Sequence, residues 1–183
     1  RTNLEAKNFR LLSCGATETA TTARWKEEIP GRADVFLEGF ELFKDHMVVL
    51  ERKNGLIQFR VRPGAGEDFY IDFGEPAYDV SQTDNYTFDT PLFRYTYSSL
   101  TTPKSVFDYD LSTRSATLLK VTEVLGGFDQ KNYVTERLYA PARDGASVPI
   151  SIVYRKGLQK DGSHPAFLYG YGAYGISTDA SFS

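Results

Sequence analysis

Along residues 8–124, apolar and polar side chains alternate with a period close to two and show almost none of the spacing of a helix. The alternation is cleanest where Ile57, Phe59 and Val61 take one face and Gln58, Arg60 and Arg62 take the other. Residues 9–12, a brief run around Trp25 ahead of Ile29-Pro30-Gly31, and residues 35–40 and 46–51 read as further extended segments. Ahead of Ile57, Arg52-Lys53-Asn54-Gly55 supplies an Asn-Gly pair suited to the positive φ angles of a type I′ hairpin turn.

Short breaks separate the runs that follow. Pro63-Gly64-Ala65-Gly66 ends one strand, residues 69–73 start another, and Gly74-Glu75-Pro76 closes it. Phe93, Tyr95 and Tyr97 then alternate with Arg94, Thr96 and Ser98; residues 106–110 follow Thr101-Thr102-Pro103, and residues 116–122 follow a polar turn through Ser112 and Thr113. Connections this short make a β-meander. Up-and-down units of roughly 40 to 50 residues are what propeller blades look like in sequence. About three would fit before Val124, whereas a closed ring usually needs at least about four, and an open arc exposes sheet edges. An N-terminal part of a propeller is therefore expected to be missing.

After Gly126-Gly127 the pattern changes. Residues 132–139 alternate, Asp144-Gly145 makes a turn, and Val148, Ile150, Ile152 and Tyr154 return on one face, which predicts a hairpin. A solvated loop, residues 156–165, leads into Ala166-Phe167-Leu168-Tyr169-Gly170-Tyr171-Gly172-Ala173-Tyr174-Gly175. Phe167-Leu168-Tyr169 has the continuous apolar character of a strand buried on both faces, so a new, doubly covered sheet is expected to begin here. These changes place a domain boundary near Leu125, between residues 1–125 and residues 126–183.

Composition narrows the function classes. A 183-residue chain that is 41% hydrophobic and 14% aromatic has ample material for a core, and its net charge of -3 supplies no basic surface for nucleic acid. Cys14 is the sole cysteine, which rules out an intrachain disulfide, points to a reducing compartment and suggests a small buried hydrophobe. No signal-peptide pattern opens the chain and no apolar run approaches the ~20 residues of a membrane span, so a cytoplasmic location without membrane association is expected. Asn85-Tyr86-Thr87 matches the glycosylation pattern but has no secretory context. The chain begins with Arg1 rather than methionine and ends in Ser181-Phe182-Ser183 without a cap or polar tail, so an excised piece of a longer protein is expected.

Two chemistries compete for the glycine-spaced stretch. Gly170, Gly172 and Gly175 fit G-x-G-x-x-G, but that dinucleotide cradle needs a helix opening at the third glycine and an acidic residue about 20 positions on. Ile176-Ser177-Thr178-Asp179-Ala180 makes no convincing first turn, and Tyr171 and Tyr174 crowd the place where backbone must approach a pyrophosphate. A complete hydrolase site fails too: Gly175-Ile176-Ser177-Thr178-Asp179 departs from G-x-S-x-G at its last position, and neither His46 nor His164 has a nucleophile beside it in sequence. No histidine and cysteine cluster suggests a metal, and no cofactor is expected. What survives is a supporting role, in which a tyrosine at a rigid strand end donates a hydrogen bond to the oxygen of a tetrahedral intermediate. Tyr169, Tyr171 and Tyr174 as core or rim aromatics remain the alternative.

The run His164-Pro165-Ala166-Phe167-Leu168-Tyr169-Gly170-Tyr171-Gly172-Ala173-Tyr174-Gly175, preceded by Ala142-Arg143-Asp144-Gly145 and Val148-Pro149-Ile150-Ser151, resembles the prolyl oligopeptidase family of serine peptidases. Tyr97-Ser98-Ser99-Leu100-Thr101-Thr102-Pro103, with Thr122-Glu123-Val124 and Asn132-Tyr133, points to its oligopeptidase B branch. The resemblance implies a mostly β chain: the last blades of a seven-bladed β-propeller followed by the first strands of an α/β-hydrolase domain. It implies that Tyr171 is the side-chain oxyanion donor, that Tyr174 lines the substrate pocket, and that Tyr169 packs in a buried strand. Some bacterial relatives carry Asp-x-Asp after the motif for binding basic peptide residues; Asp179 matches the first aspartate, and Ser181 stands at the second. Substrates would be short basic peptides, cut after arginine or lysine and admitted by the propeller as a gate. The catalytic Ser, Asp and His would come from the remainder of the polypeptide, so this piece alone would not cleave peptides. A propeller-based binding module without catalysis is the competing class.

Overall fold

A computed structural model describes all of residues 1–183, which fall into two compact units. The first comprises Arg1–Ile71 with Thr87–Thr90, and the second Asp72–Tyr86 with Pro91–Ser183.

In the first unit, β1 (Leu11–Ser13) and β2 (Lys26–Ile29) pair antiparallel across a loop that carries one 3₁₀ turn, Thr22–Arg24. β3 (Val35–Leu42), β4 (His46–Lys53), β5 (Leu56–Pro63) and β6 (Phe69–Tyr70) form an antiparallel meander in that order. The turn between β4 and β5 has φ of 51° at Asn54 and 77° at Gly55, the left-handed pair that an Asn-Gly turn demands. Phe59 and Val61 are fully buried, as their alternation predicts. The opposite face is covered as well: Leu37 and Val49 pack with Leu11 and Ile29 in one apolar cluster, edged by Phe9, Phe40 and Met47.

That second face also carries charge. Glu51, 1% exposed, accepts hydrogen bonds from Arg32, from Arg60 through Nε at 3.0 Å and Nη2 at 2.6 Å, and from the Tyr70 hydroxyl at 2.9 Å. Burial opposes ionisation of Glu51, but the bonds from Arg32, Arg60 and Tyr70 and the attraction of Arg60 together hold its carboxyl below the usual range. Arg62 donates to the Glu28 carbonyl of β2 at 2.7 Å. Arg60 and Arg62 therefore serve as half-buried partners on this face, because both faces of the sheet are covered.

In the second unit, β7 (Tyr78–Gln82), β8 (Leu92–Ser99), β9 (Ser105–Asp110) and β10 (Ser115–Val121) form the second four-stranded meander. One face is aromatic: Phe73, Tyr78, Tyr95, Tyr97 and Phe107 make successive ring contacts with centroids 4.8 to 6.3 Å apart. The other face is polar, with Arg94 held by both oxygens of Asp108 at 2.7 and 2.8 Å. β11 (Tyr133–Pro141) and β12 (Ser147–Arg155) make the expected hairpin, in register from Tyr133↔Arg155 to Pro141↔Ser147.

Several expectations are corrected. The stretch read as about three blades holds two four-stranded sheets, and residues 1–29 provide only the two-stranded β1–β2 pair. The strand expected over residues 69–73 stops at Tyr70, and β7 forms where no long apolar run marks a strand. Cys14 is exposed rather than buried. Asn85 spends its side chain locally, donating to the Thr83 and Arg94 carbonyls and accepting the Arg94 N–H, which removes its amide from the surface role a sequon would give it.

Candidate functional site

The stretch that carries the predicted chemistry leaves the β11–β12 hairpin through a loop pinned at one point. Lys160 reaches back to Glu136 of β11 at 2.7 Å and lies over the ring of Tyr154, whose hydroxyl also donates to Glu136. Beyond Pro165 the chain runs without regular structure. Phe167, Leu168 and Tyr169 are 92%, 86% and 69% exposed, so these 183 residues do not form the expected buried strand, and Tyr169 does not pack in one here. A strand buried on both faces needs ladder partners and a covering layer on each side, and β11 and β12 pair only with each other.

Tyr171 and Tyr174 stand on this loop, the first 50% and the second 93% exposed. The loop bends between them and Asp179: the Ile176 N–H donates to the Ala173 carbonyl at 3.1 Å, with φ of 57° at Tyr174 and 69° at Gly175. Glycine takes that conformation freely, but a tyrosine there is strained, which fits a side chain held outward by its turn. No helix follows Gly175, so the glycines form no pyrophosphate cradle. Ser177 lies in the same exposed segment.

After Ile176 the chain returns to the body of the second unit. Asp179 is half-buried and its carbonyl accepts the Ser181 N–H at 3.0 Å, closing a three-residue turn around Ala180, which is 5% exposed. The Phe182 N–H then donates to Ser98 Oγ at 2.9 Å, and the Phe182 ring meets Phe128 edge-on at 4.9 Å. Phe128 in turn stacks on Tyr133 at the start of β11.

Ser98 belongs to a hydrogen-bonded junction at the end of β8. Ser99 Oγ accepts the N–H groups of Thr101 and Thr102, closing a serine turn, and Ser98 Oγ donates to the Thr102 carbonyl. Glu75 gathers three hydroxyls: Tyr97 at 2.8 Å, Thr101 at 3.3 Å and Thr102 at 2.6 Å. Burial, and then the hydrogen bond to Glu75, push the Tyr97 phenol far above its usual range, so it stays a donor at any physiological pH. Gln130, from the segment that leads into the hairpin, and Thr135 of β11 reach Thr102 and Thr101. The junction thus ties the second sheet to the hairpin and to the anchor of the tyrosine loop. Sequence reading marked Tyr97 to Pro103 without giving it a role; the signal was the run of serines and threonines ending in proline just after a strand.

Comparison with known proteins decides the family. Residues 1–122 match the family described as "Prolyl oligopeptidase, N-terminal beta-propeller domain". The chain belongs to the prolyl oligopeptidase family. Its two four-stranded sheets are then blades of that propeller. Similarity to family members runs past the propeller match. Dipeptidyl aminopeptidase BI of Pseudoxanthomonas mexicana is 40% identical over 185 aligned residues that take in all of this chain and 25% of that protein. Protease 2 of Moraxella lacunata is 35% identical over 99% of this chain and 26% of its own length. The structure of oligopeptidase B from Leishmania major superposes with a TM-score of 0.83 at 33% identity, over 96% of this chain and 26% of that one. The chain spans about a quarter of the length of these relatives.

Proposed function

We propose that this chain is part of a serine oligopeptidase that hydrolyses short peptides after arginine or lysine. The observation that carries the reading is the similarity to oligopeptidase B over 96% of the chain, which takes in the tyrosine loop as well as the propeller. Under this reading the blades end near Leu125 and residues 126–183 open an α/β-hydrolase domain. The rest of the polypeptide supplies the nucleophilic serine, its histidine and its aspartate, so the 183 residues alone do not cleave peptides.

When the serine attacks the scissile carbonyl, negative charge collects on the carbonyl oxygen. Tyr171, exposed on its loop, donates a phenolic hydrogen bond to that oxygen, and a backbone N–H beside the nucleophile completes the hole. Tyr174, projecting from its strained turn, forms a wall of the substrate pocket. Asp179 pairs with a basic side chain one position away from the one that selects the cleavage site. The propeller limits entry to short peptides. No cofactor, metal, nucleic acid or membrane enters the reading, and the lone exposed Cys14 fits a reducing, cytoplasmic setting.

The full-length polypeptide tests this directly with amino-blocked fluorogenic peptides carrying arginine, lysine, alanine or proline before the scissile bond. Cleavage confined to arginine and lysine is expected; cleavage after proline would contradict it, and intact peptide throughout would favour a non-catalytic binding module. The likeness to a dipeptidyl aminopeptidase favours a second reading, removal of dipeptides from a free amino terminus. Cleavage only of unblocked peptides would select it.

A further inference from the structure

We propose that the end of the second sheet, residues 98–102, is a docking surface of a single polarity for the chain that follows the propeller. Its hydroxyls turn their protons into the sheet and offer only lone pairs to that chain, and Glu75 sets the direction. The inference goes beyond the peptidase reading and needs no catalysis.

Proton placement decides the polarity. A serine or threonine hydroxyl has one proton to give and two lone pairs to receive with, whereas a carboxylate only receives. Thr102 gives its proton to Glu75 at 2.6 Å, so Gln130 meets Thr102 Oγ1 with an amide N–H, at 2.8 Å. Thr101 gives its proton to the other Glu75 oxygen at 3.3 Å and accepts the Thr135 hydroxyl at 3.5 Å. Ser98 repeats the pattern with a carbonyl in place of the carboxylate, donating to Thr102 at 3.2 Å and accepting the Phe182 N–H at 2.9 Å. Three hydroxyls thus point the same way. Gln130, Thr135 and Phe182 all lie beyond residue 122, where the propeller match ends, and each presents a donor. Reversing the surface is costly: Ser98 and Thr101 are 7% and 5% exposed, Ser99 Oγ holds the N–H groups of Thr101 and Thr102, and Tyr97 also spends its proton on Glu75. A chain bearing acceptors at these positions would leave lone pairs facing lone pairs.

Hydrogen exchange of the full-length polypeptide tests this, read by mass spectrometry on the turn that carries Gln130, residues 129–132, which is closed by the Asp129 side chain and the Asn132 N–H. It reads docking without substrate, so its outcome is separate from that of the cleavage assay. Gln130 is exposed, so substitutions there leave the fold in place. Gln130→Glu, which sets an acceptor against Thr102, is expected to speed exchange about tenfold, and Gln130→Met, which removes the donor without adding charge, about threefold. The decisive variant is Glu75→Gln/Gln130→Glu. There an amide at position 75 donates to Thr102 Oγ1, whose proton turns to the carboxylate at position 130, and the rate is expected to return to within about twofold of wild type. Glu75→Gln/Gln130→Met has nothing at position 130 to take that proton and is expected to stay fast. A wild-type rate in Gln130→Met, the result that plain repulsion between two carboxylates predicts, overturns the proposal. So does a Glu75→Gln/Gln130→Glu variant that exchanges as fast as Gln130→Glu alone. If Glu75→Gln unfolds the protein, the single variants at position 130 decide: both fast supports the proposal, and Gln130→Met at the wild-type rate overturns it.

Discussion

Glu51 offers the sharpest test of how the first sheet is held together. Glu51→Gln keeps the shape of the side chain and removes its charge, leaving Arg60, 14% exposed, and Arg32, 33% exposed, without their shared counter-ion. Breaking a buried ion pair from one side costs about 3–5 kcal/mol. Arg60 retains Asp68 at 2.6 Å and Arg32 is partly solvated, so the lower end applies, about 3 kcal/mol at neutral pH. With a urea m-value of about 1–3 kcal/mol/M, the midpoint should fall by about 1–3 M. Trp25, the only tryptophan, lies in the same unit as Glu51, so its fluorescence during urea titration of the 183-residue chain reports this loss. The carboxyl is depressed in the folded state, so its stabilisation is full above the unfolded value of about 4.3 and is lost as pH falls through the folded value. Wild type should therefore weaken over that acidic window, and Glu51→Gln should respond less. A loss below about 1 kcal/mol, or the same pH dependence in both proteins, would refute the view that the cluster fastens the sheet.

Two further substitutions probe the loops. Asn85→Ala removes three hydrogen bonds that close the connection between β7 and β8, next to Tyr86, which is 89% exposed; chymotryptic cleavage after Tyr86 should quicken by about tenfold, and an unchanged rate would mean that the loop is held elsewhere. Tyr174→Asn places Asn-Gly in a turn that already has the left-handed pair of φ angles, so the full-length enzyme should gain about 1 kcal/mol while its KM rises. A higher Tm with an unaltered KM would remove Tyr174 from the substrate pocket.

Local chemistry was legible wherever a few neighbouring residues settle the outcome. Asn54-Gly55 specified its turn, and Phe59 and Val61 specified the buried side of β5. Burial on a second face was not legible, because it depends on partners far away in sequence. Glu51, in strand 46–53, is buried only because Arg32, Arg60 and Tyr70 converge on it. The same limit explains Phe167 to Tyr169: their composition states what a strand there would bury, yet a strand forms only where partner strands meet it, and these 183 residues supply none. The roles proposed for Tyr171, Tyr174 and Asp179 come from the motif they stand in, whereas the bond that docks Phe182 on Ser98 spans 84 positions and left no local trace.

The central claim is that Tyr171 stabilises an oxyanion, and steady-state kinetics of Tyr171→Phe in the full-length enzyme test it most directly. Removing one such donor costs about 2.7–4 kcal/mol of transition-state stabilisation, so kcat for an arginine peptide should fall by about 10² to 10³ with a much smaller change in KM. Wild-type turnover in Tyr171→Phe would contradict the account.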